Sequence, residues 1–287
     1  AKRVSFLRGS YRRTFVPMPQ SVAKGPKPVL SPKQARRYRA GLLVALALTG
    51  VALGSVWWFS RVGNVNHWTR CDRAGIRIPA RYGLHGIDVS KFQGKIDWQR
   101  VRRMRLTAQG LPITFAFIKA TEGRGLADRA FRKNWEGAKQ AGLRRGAYHF
   151  YLPFRDPVEQ ANHFVQHVRL EKGDLAPVLD IEVNALKPDA AIVRDLGTWL
   201  RLVEDHYGIR PIIYTNPHFY RKFIRGHFDD YPLWLADYSR DRLEGYPSGQ
   251  VYFWQHSKRG WCEGIGGQVD FNAFLFDEDE LEELCVD

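Results

Sequence analysis

A chain of 287 residues with 44% hydrophobic and 13% aromatic content can bury a large core, which excludes a wholly disordered protein. The net charge of +14 invites a polyanion partner, but its distribution argues against nucleic acid. Residues 1–40 hold eleven Lys and Arg and no acid, leaving only +3 (14 minus 11) from Gly41 onward.

Residues 1–40 contain Pro and basic residues without apolar periodicity, and read as a disordered cytoplasmic tail drawn to anionic lipid. Gly41 to Ser60, GLLVALALTGVALGSVWWFS, is uncharged throughout. As a helix it would span about 30 Å, the thickness of a bilayer core. Trp57, Trp58 and Phe59 stand where an aromatic belt meets headgroups, and basic residues cluster only on the near side. This orientation puts the N-terminus in the cytoplasm and the remainder outside, with residues 41–60 as the span. A cleaved signal peptide fits less well, because the basic region is too long and no small-x-small site follows. Residues 61–82 read as a linker and 83–287 as the folded domain. Cys71, Cys262 and Cys285 allow three single pairings, all open, and their spacing matches no zinc pattern.

From Leu84 onward, short apolar runs alternate with helix-like stretches. The expected strands are 86–89, 115–120, 146–150, 177–181, 211–214, 233–236, 251–255 and 269–271. Expected helices fall near 98–104, 127–141, 157–170 and 189–207, with Pro157 and Asp189 as start signals. This alternation predicts the α/β class, a mostly parallel sheet covered by helices. The gaps after the sixth and seventh strands are too short for crossover helices, so the prediction is an irregular barrel with an incomplete helical ring.

Polar groups recur where the apolar runs end: Asp88, then Lys119 and Glu122, Tyr148, Asp180 and Glu182, Tyr214, Asp237, Gln255 and Asp270. In α/β barrels such positions carry chemistry. Asp180 and Glu182 lie two apart on a strand and so face one side. Paired carboxylates titrate apart, one kept as an acid, as glycoside cleavage requires. An Asp-x-Glu pair alone is a weak signal, since strand-end acids often cap helices or pair with Arg. Asp88, Asp237 and Asp270 beside it strengthen the catalytic reading. Tyr148, Tyr151 and Tyr238 are the better candidates for sugar platforms, against the commoner role of aromatics as core. Tyr214, Asp237 and Gln255 complete the expected binding set. His149 and His256 read as structural, and Lys119 serves equally well as counter-charge or as a strand-end cation.

The motifs HGIDVSKFQGKIDW (85–98), FAFIKATEG (115–123), GAYHFY (146–151), PVLDIE (177–182), PIIYTN (211–216), PLWLADY (232–238), FWQHS (253–257) and VDFNAF (269–274) together resemble glycoside hydrolase family 25, the muramidase-type lysozymes. A tail, one span and then this domain is similar to Gram-negative inner-membrane members, which implies that residues 41–60 hold the inner membrane and that the domain is periplasmic. The resemblance implies hydrolysis of the β-1,4 bond from N-acetylmuramic acid to N-acetylglucosamine in peptidoglycan, without a cofactor or metal. By motif, Glu182 would be the proton donor and Asp180 the assisting carboxylate, with Asp88 and Asp270 completing the acidic cluster at the cleft floor. Chitinase-like enzymes place a further acid two residues before the Asp-x-Glu pair, where this chain has Val178. A non-catalytic peptidoglycan-binding module is the other alternative, and it would not require Glu182.

Overall fold

The structure, a computed structural model, describes residues 68–287 except Ser248. Before Trp68 it describes only Lys33, Leu46, Thr49, Gly50, Val51, Leu53 and Gly54. The expected basic tail and span at 41–60 lie, apart from these positions, outside the described residues. No helix among the described residues is long and apolar enough to cross a membrane.

A hairpin opens the folded domain, β1 (Trp68–Cys71) paired antiparallel with β2 (Ile76–Pro79). The expectation of a plain linker over 61–82 is therefore corrected. Ile78 is buried, and the Trp68 ring stands edge-on to Trp254 at 5.3 Å and donates to the Asp241 carbonyl at 2.7 Å. Ala74 accepts from Trp261 N at 2.9 Å, and Arg73 pairs with Glu263 at 2.9 Å. Two four-residue strands carry too short an alternation to stand out in a charged segment.

The principal strands are β3 (Leu84–Val89), β4 (Ile113–Glu122), β6 (Arg144–Phe150), β7 (Val178–Asp180), β8 (Ile212–Thr215), β9 (Leu233–Ala236), β10 (Val251–Trp261) and β11 (Gln268–Phe274). A two-residue strand, β5 (Leu126–Ala127), extends the edge of β4. From β3 through β4, β6, β7, β8 and β9 to β10 every pairing is parallel. β11 runs antiparallel to both β10 and β3 and closes the barrel. All eight expected strands are present, and the last two form a hairpin, as the short spacing required.

The helices are α1 (Trp98–Arg103), α2 (Phe131–Gln140), α3 (Pro157–His167), α4 (Asp189–Tyr207), α5 (Pro217–Phe219) and α6 (Glu278–Glu282). Asp97 caps α1 by accepting from Arg100 N at 3.1 Å, and Asp156 caps α3 from Glu159 N at 2.9 Å with Pro157 in the first turn. α4 stops at Gly208, which takes the left-handed φ of 70° that glycine adopts without strain. Among the described residues no helix lies between β9 and β10, and β2 of the hairpin packs against β10.

The apolar interior has two layers. One lies between the barrel and its helices, with Ile87, Ile118, Leu179, Trp199 and Ile213 among its buried members. The other fills the barrel with Phe115, Phe117, Val178, Ile212, Trp234, Phe253 and Phe274. Phe117 stacks on Trp234 at 4.3 Å, and Phe253 meets Phe274 at 4.9 Å. A Cβ on Gly86 would lie 2.3 Å from the Phe115 ring, and one on Gly146 2.5 Å from Phe117. Glycine at these positions is the space those rings occupy. At the N-terminal ends of the strands Leu281, Leu284 and Cys285 join this cluster, and Ala176 N donates to Leu284 O at 2.8 Å. The acidic C-terminal stretch thus carries a structural plug, held by Arg144 hydrogen-bonded to Glu278 and Glu282. All three cysteines are buried free thiols. Burial, with Glu263 and Cys71 nearby, pushes the Cys262 thiol up to about 12.

Candidate active site

The aromatic plug leaves open only the C-terminal end of the barrel. Above it lies a cavity of about 380 Å³ lined by Asp88, Lys119, Tyr148, Asp180, Glu182, Tyr214, Tyr238, Gln255 and Asp270, among others. Strand parity decides which side chains reach it. On β11, Asp270, Asn272 and Phe274 share the inward face, and on β3 Gly86 and Asp88 do so. On β7 the same parity carries Val178, Asp180 and, just past the strand, Glu182. Ile181, facing out, is buried, and its backbone is held by a bond from its N–H to Tyr214 O at 3.0 Å and one from Thr215 Oγ1 to its carbonyl at 2.9 Å.

The four predicted catalytic acids therefore meet in one cleft, but in different settings. Asp88 Oδ2 accepts from Gln255 Nε2 and from Asn272 Nδ2, each at 2.8 Å. Gln255 in turn accepts at Oε1 from the hydroxyls of Tyr214, at 3.0 Å, and Tyr238. Asn272 accepts from Trp234 Nε1 at 2.7 Å. Asp88 and Asp270 are register partners that share a hydrogen bond. Burial, reinforced by the Asp270 charge, lifts Asp88 well above the carboxylate range against the pull of its two donors. Burial likewise pushes Asp270 up to about 6, with Glu182 adding to the rise while the Asp88 hydrogen bond and Lys258 oppose it.

Asp180 is buried, and its Oδ1 has no hydrogen-bond partner among the described residues. Burial and the neighbouring Glu182 charge raise it well above its ordinary value, opposed by Lys119. Glu182 is accessible from the cleft yet walled closely enough by protein that lost hydration raises its carboxyl. Asp88 adds to that rise, and Lys119 and Lys258 counter it. Lys119 acts as the counter-charge: its Nζ lies 2.7 Å from Glu122 Oε2 and 4.4 Å from the Phe150 ring centre. An acid held protonated beside a second carboxyl is equipped to donate a proton to a leaving oxygen.

Tyr148, Tyr214, Tyr238 and Gln255 line the cleft as expected. Two predicted contacts do not. Tyr151 follows the inward Phe150, so it faces outward, is fully buried, and packs near His149, its hydroxyl without a hydrogen-bond partner among the described residues. Asp237 follows the inward Ala236 and turns away; its Oδ1 accepts from Ser239 N at 3.0 Å and Ser239 Oγ at 2.7 Å. His149 is structural, bonded to Thr121 at 2.7 Å and stacked on Trp199. His256 is likewise buried, between Trp68, Trp254 and His85. Among the described residues no group of acids, His and Cys could hold a metal ion. Sequence reasoning missed Asn272, Trp234 and Lys258. Asn272 was within reach, lying two residues from Asp270 and so on the same face.

A closed α/β barrel with a carboxyl cluster at the C-terminal mouth and a raised acid beside a second carboxyl is the arrangement of a glycoside-cleaving enzyme. Residues 87–265 match the family described as glycosyl hydrolases family 25, and the chain belongs to that family. It is 44% identical over 208 residues to the Escherichia coli (strain K12) protein YegX, covering 72% of this chain and 75% of that one. It is 33% identical over 211 residues to lysozyme M1 of Streptomyces globisporus, covering 67% of this chain and 68% of that one. The solved family 25 glycosyl hydrolase from Bacillus anthracis superposes with a TM-score of 0.63 at 29% identity, covering 77% of this chain and 98% of that one.

Proposed function

We propose that the chain is a peptidoglycan hydrolase of the muramidase type, cutting the β-1,4 bond from N-acetylmuramic acid to N-acetylglucosamine. The observation that carries this reading is the pairing at the end of β7: Glu182, exposed in the cleft with a raised carboxyl, beside the buried Asp180. Glu182 protonates the glycosidic oxygen as the bond to the anomeric carbon breaks. Asp180 faces the developing positive charge or orients the N-acetyl group that meets it, and water completes the hydrolysis. Asp88, tied to Gln255 and Asn272, shapes the cleft floor together with its register partner Asp270. Tyr148, Tyr214 and Tyr238 supply aromatic edges for the sugars.

The proposed setting is the periplasmic face of the inner membrane, with residues 41–60 as anchor and the basic tail in the cytoplasm. What supports it is the uncharged stretch and its one-sided basic flank. Membrane fractionation of the full chain, with protease access from the periplasmic side, tests this; a domain found free of membrane would refute it.

The test of function is the mass of fragments released from purified peptidoglycan by residues 64–287, which form a compact unit, with Glu182→Gln alongside. Fragments ending in a reducing muramic acid, absent with the variant, are expected. A reducing glucosamine would overturn the bond assignment. Wall binding without release, equal in both proteins, would favour the non-catalytic module.

A further inference from the structure

The cleft has two lysines, and they are held differently. Lys119 is closed off by its ion pair with Glu122 and its place over Phe150. Lys258 is exposed at the cleft wall, and although several carboxyls share the cavity with it, none among the described residues lies within ion-pair distance. Its recorded contact is with the Tyr238 ring, 5.2 Å from Nζ to the ring centre. Tyr238 is itself 44% exposed and hydrogen-bonded to Gln255, so the two side chains stand together on the β10 side of the cleft.

The backbone accounts for that position. β10 pairs with β11 through Gln255↔Asn272, Ser257↔Phe271 and Gly260↔Val269, so two register shifts fall between Gln255 and Gly260. Lys258 sits inside the second irregularity. Strict alternation from the inward Gln255 would place Ser257 in the cleft and Lys258 outside. A bulge adds a residue and re-aims the side chains around it, and here it delivers the ammonium to the mouth. The cation shares the cavity lining with Glu182 and Asp270, and its charge opposes the rise of both carboxyls. An ammonium at the wall of a cleft otherwise dominated by acids, and not consumed by any of them, is available to an anion brought by the substrate.

We propose that Lys258 is a specificity-determining contact that receives a carboxylate from the stem of the muramic residue, favouring wall glycan over neutral N-acetylglucosamine polymers. This rests on the muramidase reading above. The shared chemistry is a carboxylate close to the muramic ring. It has two sources, the lactyl group itself when the stem peptide has been removed, or an acidic residue of that peptide.

The experiment compares KM and kcat of the wild type, Lys258→Gln and Lys258→Arg on three soluble glycan-strand substrates. One carries intact stem peptides; one has been stripped to the free lactyl carboxylate by an amidase; one has its carboxyls neutralised by coupling to methylamine. Lys258→Gln is expected to raise KM about tenfold on at least one anionic substrate, the usual effect of losing one charge-assisted hydrogen bond, and Lys258→Arg to restore most of it. On the neutralised strands the wild type rises to meet the variant. A penalty only on intact strands assigns the peptide carboxylate, and a penalty only on stripped strands assigns the lactyl group. An equal KM penalty on all three, or a change confined to kcat and its pH profile, would overturn the proposal, because it would mean that Lys258 acts only through Glu182. Absence of fragments from every substrate with the wild type would instead sink the muramidase reading and this inference with it.

Discussion

The β7 wall and the β3–β11 wall face each other across one cleft, and both carry acids, yet they hold them in opposite ways. Asp88 is gripped by Gln255 and Asn272, which are themselves fixed by Tyr214, Tyr238 and Trp234. On the β7 wall, Asp180 has a bare oxygen, and Glu182 has no hydrogen bond or ion pair among the described residues. A carboxyl whose partners are all protein is a fixture. Glu182, exposed in the cleft, is a carboxyl that a substrate can reach. On the proposed mechanism this difference gives the chemistry to the β7 side and the preorganisation to β3 and β11.

The largest expected effect breaks the β7 side. Glu182→Gln should lower kcat by roughly 10²–10⁴-fold, the range for loss of a general acid, with KM little changed, measured as reducing ends released. Because Glu182 must be protonated to act and its carboxyl is raised, the wild type should keep activity above the ordinary Glu range and lose it as pH rises through the raised value. A basic limb at or below the ordinary Glu pKa would contradict this.

Breaking the other wall should read out chiefly in stability. Asn272→Ala strips one donor from Asp88 and leaves Trp234 Nε1 without its acceptor. Unsatisfied buried groups of this kind cost about 1–3 kcal/mol each. A lowered Tm is therefore expected, with a loss of kcat well short of that of Glu182→Gln; a rate loss as large would erase the distinction between the walls.

A smaller effect sharpens the comparison through pH. Asp270 has a folded pKa of about 6 against an ordinary 3.8, so between these values the folded state binds more protons than the unfolded state. Its contribution to stability is therefore greatest below pH 3.8 and is lost as pH rises through 6. Asp270→Asn should raise Tm by roughly 2–6 °C at pH 7–8 and by little at pH 4, at the expense of activity. Equal shifts at both pH values would show that Asp270 is not destabilised in the fold. Smallest of all, Tyr151→Phe should leave kcat/KM within about twofold and Tm unchanged or slightly higher, since it removes a buried hydroxyl that has no partner. A tenfold loss of activity would return Tyr151 to the cleft.

Much of this was legible in the chain because it is local. Alternating or continuous apolar runs marked all eight barrel strands, Pro157 and Asp189 marked helix starts, and the two-residue step from Asp180 to Glu182 put both carboxyls on one side. The open end of the barrel followed as well, since the polar residues gather where the runs end.

What the tertiary structure alone decided depends on pairings between residues distant in sequence. A strand's period of two says that Phe150 and Tyr151, or Ala236 and Asp237, face opposite ways, but ring closure decides which of each pair sees the cleft. The bulge that turns Lys258 inward exists only because β10 must keep register with β11. The hairpin at 68–79 gains its burial from Trp254 and Trp261, more than 170 residues away. Sequence pattern determined the strands and the chemistry they could carry; closure of the barrel determined which side chains that chemistry would use, because only long-range register assigns a face.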